Sequence, residues 1–313
     1  MSITLKLGTR KSELAVAQST TVAKAIEALH PGVRVELVTF TTKGDTTPGM
    51  LAPLGGKGLF TEELEQGLLD GSLDLAVHSL KDLPVELPEG LEVVAYPERA
   101  DPRDVLVSET TESFDDLPDG ALILTGALRR RAQVLATNPA LRVENVRGNV
   151  QTRLRKWRER NAGGVILAAS GLDRLGMTDL PGHRLDPEAF VPAPGQGTLA
   201  IEVRSGGDAE ELCRPLNHAP TALTAEAERR IVAAFGGNCA LPLAAWARPA
   251  SPAGQGEGGA LTLTGLLAMP DGERIARAEA TAGSPEVVAA QVVAAMREQG
   301  AEEILEAIGP APK

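Results

Sequence analysis

The chain has 313 residues, 43% of them hydrophobic and 23% charged, an ordinary balance for a soluble globular protein of two or three domains. No run of about 18 uninterrupted apolar residues is present, so no membrane span is expected, and with aromatics at only 3% the cores fall to Leu, Val, Ile and Ala. The net charge of −11 argues against general nucleic-acid binding.

Ile3–Thr9 reads as a strand, and Ser12 as the N-cap of a helix running to about Leu29, ended by His30-Pro31-Gly32. Val33–Phe40 is a second, β-branched strand. Thr41–Leu54 reads as loop. Gly58–Leu69 is helical, with Phe60, Leu64 and Leu68 at i, i+4 and i+8, and Leu73–Val77 is a third strand. In a second series, strands are predicted at Asp104–Ser108, Ala121–Thr125, Leu141–Asn145 and Gly164–Ala168, with helices at Ala127–Thr137 and Asn149–Arg160. Such alternation predicts parallel sheets wrapped by helices. Two linkers carrying Pro and charge, Tyr96–Arg103 and Val191–Gly197, suit hinges between lobes. Thr198–Arg204 reads as a strand that returns to the first lobe, and Thr221–Phe235 as a long Ala-rich helix. Leu261–Met269 and Arg274–Thr281 form a hairpin around Pro270-Asp271-Gly272. Ser284 caps a last helix with Pro285 at its first position and Gly300 past its end. Ser251–Gly259 is a Gly-rich loop.

Met1–Gly8 has no signal-peptide core or small-residue cleavage site, so the cytoplasm is the expected location. The two cysteines, Cys213 and Cys239, are poor evidence for a disulfide there. His30, His78, His183 and His218 lie far apart, and none shares metal-ligand spacing with another His or a Cys, so no metal is expected. The acidic average hides an asymmetry. Ala121–Arg160 holds ten Lys/Arg against Glu144 and Glu159, a local surplus of +8. An acidic protein with one basic segment aims it at an anion or solvates it as a helix face.

Four stretches carry candidate chemistry. His78-Ser79-Leu80-Lys81-Asp82-Leu83-Pro84 sets a lysine and a carboxylate just past a buried strand, where α/β sheets bind ligands. His78 reads either as a general base or as a hydrogen-bonded structural histidine. Gly55-Gly56-Lys57-Gly58 fails the phosphate-loop pattern, because Leu51 and Gly58 stand where Gly and Ser/Thr belong. Thr125-Gly126-Ala127-Leu128-Arg129-Arg130 and Arg147-Gly148-Asn149, with Arg153 one turn on, are two strand-to-helix junctions at one end of a sheet. Free N–H groups at helix starts attract anions, and arginine forks grip carboxylates bidentately. Cys213 lies in the apolar periodic run Ala209–Leu216, as buried cysteines do. Cys239 lies in the Gly-rich break Phe235–Pro242, where a thiol is open to modification, and this reading leaves its reactivity open.

Taken together the chain resembles the porphobilinogen deaminase (hydroxymethylbilane synthase) family. The resemblance rests on the order and spacing of Gly8-Thr9-Arg10-Lys11-Ser12, Gly55–Phe60, Ala76–Pro84, Leu128-Arg129-Arg130, Arg147-Gly148-Asn149-Val150, Gly171–Gly176 and Pro194-Gly195-Gln196-Gly197. It implies stepwise condensation of four porphobilinogen molecules with loss of ammonia, on a dipyrromethane cofactor joined to a cysteine by a thioether, then hydrolytic release of hydroxymethylbilane. The attachment position matches Cys239, and Asp82 resembles the catalytic carboxylate. On the cofactor side the resemblance also implies Ser79, Lys81, Thr125, Arg129, Arg130 and Asp45. On the substrate side it implies Arg10, Ser12, Arg147, Arg153, Arg174, Phe60 and Gln196. Gly126 and Ala127 stand where many members carry serines. The implied fold is α/β. Two doubly wound, periplasmic-binding-protein-like lobes (1–97 with 198–215, and 102–192) flank an active cleft, and a small α+β domain (219–313) carries the cofactor cysteine. A monomer is typical of the family.

Two rivals share parts of this pattern. A non-catalytic two-lobed anion-binding protein would need neither Asp82 nor a modified Cys239, and would call for an export signal. A nucleic-acid binder using Arg129–Arg160 sits badly with the overall acidity and with Trp157 as the only aromatic there.

Overall fold

The computed structural model of the chain describes residues 3–41, 61–236, 241–250 and 260–309. The chain runs β1 (Ile3–Arg10), α1 (Glu13–Leu29), β2 (Val33–Phe40), α2 (Glu62–Leu69), β3 (Leu75–Ser79) and β4 (Leu91–Ala95). It continues through β5 (Asp104–Val107), β6 (Leu122–Leu124), α3 (Leu128–Thr137), β7 (Arg142–Glu144), α4 (Val150–Glu159), β8 (Gly164–Ala168), α5 (Ala169–Arg174) and β9 (Gly182–Arg184). After β10 (Leu199–Arg204) and α6 (Asp208–Cys213) come α7 (Ala219–Ala234), β11 (Leu243–Pro249), β12 (Leu261–Ala268), β13 (Ile275–Ala282), α8 (Pro285–Glu298) and α9 (Ala301–Ile308).

These elements form two compact units, Met1–Ala100 with Thr198–Leu223, and Asp101–Gly197 with Thr224–Pro312. The first holds a five-stranded sheet in the order β2-β1-β3-β10-β4. β1 is parallel to β2 and β3, and β10 is antiparallel to β3 and β4. The second holds β7-β6-β8-β5-β9 with the same pattern: β6 is parallel to β7 and β8, and β5 is antiparallel to β8 and β9. Each sheet thus takes one reversed strand from beyond its own βαβ run. Thr198–Arg204 supplies it to the first, the return suggested by the sequence.

Both sheets are covered on both faces, so their central strands β3, β10, β8 and β5 are buried at successive positions rather than alternating. In the first, Leu75 and Val77 pack with Val22 and Ile26 of α1, while Ala76 joins Leu64 and Leu68 of α2. In the second, Val165 and Leu167 pack with Leu154 and Trp157 of α4, while Ile166 meets Val134 of α3. β3 begins two residues later than predicted. Asp74 is held outside it, its N–H bonded to Lys6 O (3.0 Å) and its carboxylate accepting Lys6 N–H (2.7 Å). The strand therefore runs to Ser79, directly into a 3₁₀ turn at Leu80–Asp82.

The antiparallel sheet β11-β12-β13 lies in the second unit. One face packs on Ile231, Val288, Val292, Met296 and Ile304, and the other carries Ala244, Leu266 and Ala268 against Ala132 of α3 and Val191. Its hairpin turn reaches the same helix, where Arg131 Nε donates to Pro270 O (3.2 Å). Gly272 has φ +79°, and a Cβ there would lie 2.5 Å from Ala132 O and 2.6 Å from Ala136 N. Both are backbone atoms that cannot swing aside. Gly272→Ala is therefore expected to cost about 2–4 kcal/mol through left-handed strain and overpacking, read as a thermal midpoint lower by roughly 5–15 °C.

Candidate functional site

In a doubly wound sheet the strand order reverses at one point, and ligands bind outside the carboxyl ends there. In the first unit that point lies between β1 and β3, and the flanking segments carry Arg10, Ser12, Lys81 and Asp82. Ser12 caps α1, its Oγ accepting Ala15 N–H at 3.3 Å. The Lys81–Asp82 turn is fixed by its backbone. Leu80 N–H donates to Thr198 O (3.0 Å), Leu83 N–H donates to Leu80 O (3.1 Å), and the Leu80 side chain is buried. Asp82 is left exposed at the rim. Just beneath, Ser79 Oγ bonds Gln18 Nε2 (3.0 Å). His78 is no base for a ligand here: it is buried, 2.9 Å from the fully buried Glu202 of β10. That pair ties β3 to β10 under the turn, and no spacing in the sequence joins two residues so far apart.

In the second unit the order reverses between β6 and β8. Thr125 directly follows the first of these, its Oγ1 accepting Ala127 N–H at 3.3 Å. α3 starts from Ala127 with no side-chain cap and no acid in its first turn, so its N–H groups and dipole are not neutralised by the helix itself. A Cβ on Gly126 would come within 2.8 Å of Val146 O, so a serine here would require that backbone to shift. Arg147 precedes α4, which Asn149 caps by accepting Thr152 N–H (2.9 Å), and Arg153 Nε donates to Gly148 O (2.8 Å). Arg174, at the end of α5, donates to Gly197 O (2.8 Å), and burial draws its pKa below the ordinary arginine value.

Arg129 and Arg130 are almost wholly buried and converge on one carboxylate, that of Asp104 at the start of β5. Oδ2 lies 2.8 Å from Arg129 Nη2, and Oδ1 accepts from Arg130 Nη2 (2.7 Å) and Nε (3.1 Å). Arg129 also donates to Val191 O (2.7 Å), and Arg130 to Ile166 O (2.9 Å). Burial alone would raise the Asp104 pKa. The two guanidiniums, with hydrogen bonds from Arg130 and Gln196, outweigh it and hold the carboxyl well below the usual range. Two cations against one anion leave a surplus positive charge beside the uncapped helix start. Gln196, expected against substrate, is instead fully buried, with its amide donating to Asp104 Oδ1 (2.8 Å) and Pro102 O (2.7 Å). The sequence missed Asp104. Its only signal was an acid opening the apolar strand Asp104-Val105-Leu106-Val107.

The family model described as "Porphobilinogen deaminase, dipyromethane cofactor binding domain" matches residues 5–212, and "Porphobilinogen deaminase, C-terminal domain" matches 222–298. The chain belongs to the porphobilinogen deaminase family. It is 46% identical to the porphobilinogen deaminase of Acidithiobacillus ferrooxidans over 308 residues, 98% of each chain. It is 44% identical to that of Syntrophotalea carbinolica, over 99% of this chain and 98% of the other, and 43% identical to that of Brevibacillus brevis over 96% of each. Among solved structures, the methionine-binding protein MetQ superposes with a TM-score of 0.41 at 15% identity, over 68% of this chain and 89% of that one. Of the positions the family resemblance implies, Asp45, Phe60 and Cys239 lie outside the described residues, as does the Gly55–Gly58 stretch.

Among the described residues, no helix is long and apolar enough to cross a membrane.

Proposed function

We infer that the protein catalyses the reaction of its family. Four porphobilinogen molecules condense head to tail with loss of ammonia, on a covalently bound dipyrromethane primer, and hydrolysis releases hydroxymethylbilane for tetrapyrrole biosynthesis. The observation that carries this is the family match over nearly the whole chain. The residues present suit the cofactor. Pyrrole acetates and propionates are anions, and the edge of the second sheet offers a surplus guanidinium charge and an uncapped helix start. When bound, the dipyrromethane supplies the pyrrole on which the chain grows.

Cys239 is the proposed point of attachment. The other cysteine is unsuited to it, because burial pushes the Cys213 thiol up to about 12 and it keeps its proton at neutral pH. Arg129 and Arg130, with Lys81, Ser79, Thr125 and Asp45, hold the cofactor side. Arg10, Ser12, Arg147, Arg153, Arg174 and Phe60 take the carboxylates and rings of substrate and growing chain. Gln196 serves through Asp104 rather than by touching substrate. Asp82, a carboxylate fixed on a rigid turn, stabilises the positive charge that develops on a pyrrole as ammonia departs and can move its proton. A cytoplasmic monomer completes the proposal.

Incubated with porphobilinogen, the purified protein should release one ammonia per monomer consumed and yield a linear tetrapyrrole detectable by mass. Ammonia release without that product would count against the reading. Arg147→Gln should stall elongation at one length of enzyme-bound chain, seen as a single accumulating adduct in intact-protein mass spectra. Unchanged product kinetics would remove Arg147 from this role.

A further inference from the structure

The arginine pair has a partner that the reaction itself does not name. Asp104 is fully buried, and its two oxygens are divided between two neighbours in sequence that point their guanidiniums the same way. Consecutive helix positions ordinarily diverge by about 100°, so a shared counter-ion is what draws Arg129 and Arg130 together. The clasp is braced on every side. Gln133, one turn along α3 from Arg129, accepts Val191 N–H (2.7 Å) and donates to Val191 O (3.0 Å), the same carbonyl that takes Arg129 Nη1. Gln196 enters from the loop before β10, where Gln196 N–H donates to Ala193 O (2.9 Å) and Gly195 N–H to the buried Glu228 (2.6 Å).

We propose that Asp104 is the positioning residue of the cofactor-binding arginines: it gathers both guanidiniums into one buried cluster whose single surplus positive charge, beside the uncapped start of α3, draws a cofactor carboxylate, and Gln196 fixes its own orientation. One buried carboxylate between two buried arginines leaves a single net positive charge, which suits one carboxylate at a time. Without Asp104, two buried like charges would repel and their donors would scatter. The inference rests on the enzymatic reading above.

The test follows covalent loading rather than turnover. Cofactor-free full-length protein is mixed with porphobilinogen, and the two-pyrrole mass gain is timed by intact-protein mass spectrometry across monomer concentrations. Asp104→Asn keeps the shape and removes the charge. It should raise the concentration for half-maximal loading by roughly 10- to 100-fold, the range expected when a charge-assisted hydrogen-bonding partner is lost. Asp104→Glu should recover part of that loss. Gln196→Leu leaves every charge in place and should shift half-maximal loading by several-fold, and it carries the test alone if Asp104→Asn does not fold. A merely structural Asp104 would lower the thermal midpoint while the folded fraction loaded with wild-type concentration dependence, and that result would overturn the proposal. Wild-type protein that never gains the mass would instead sink the enzymatic reading, and this inference with it.

Discussion

Asp82→Asn is expected to lower turnover of porphobilinogen by about 10²–10³, with little change in fold stability. The size follows from removing one preorganised electrostatic partner aimed at a developing charge. Asparagine retains the outline and can still hydrogen-bond, but it cannot offset a cation or accept a proton at neutral pH. The structure makes the change clean. Asp82 is exposed, and the turn that bears it is held by Leu80 and Leu83 backbone bonds and the buried Leu80 side chain, none of which involves the carboxylate. Surface substitutions of this kind stay within about 0.5 kcal/mol. The deficit should therefore appear in kcat, with KM nearly unchanged, because the charge it answers exists only as ammonia leaves. Asp82→Glu, which keeps the charge but displaces it by a methylene, should fall between. A normal rate in Asp82→Asn protein would remove this residue from the chemistry.

Cys239→Ala should abolish both the added mass of two linked pyrroles and all product formation, whereas Cys213→Ala should leave both intact. The contrast isolates the thiol from generic sulfur chemistry. Cys213 is fully buried in the core of the first sheet with Leu199, Ile201 and Val203, where a thiolate is too costly to form. Its removal should lower stability by about 1 kcal/mol for the small cavity created. Adduct persisting in Cys239→Ala and disappearing in Cys213→Ala would reverse the assignment.

Much of the fold can be read from the chain because buried α/β strands announce themselves. Gly164–Ala168 is an apolar run that matches β8 to the residue, and the β-branched residues of the more exposed Val33–Phe40 mark β2 equally well. β9 could not be read that way. Gly182-His183-Arg184 has no large apolar side chain, and its place in the sheet comes from backbone pairing with Val105–Val107. β11 was likewise hidden, since its partners in β12 lie across a Gly-rich stretch. At the site, local motifs exposed Asp82 and the arginines, which stand at strand-to-helix junctions. Partners distant in sequence did not show: Asp104 for Arg130, and Glu202 for His78, are visible only once strands are neighbours. Gln196 illustrates the same limit, because a polar residue in a Gly-Pro loop reads as ligand-facing until burial shows otherwise.

The turn at Gly272 carries a mechanical corollary. Through it, the β12–β13 hairpin abuts the backbone of α3 at Ala132 and Ala136, within two turns of the Arg129 and Arg130 that meet Asp104. The helix is meshed with the C-terminal sheet like two wheels on one axle. A helix held in this way resists sliding along that sheet as the product lengthens ring by ring, so the slack for each added ring is expected from other segments.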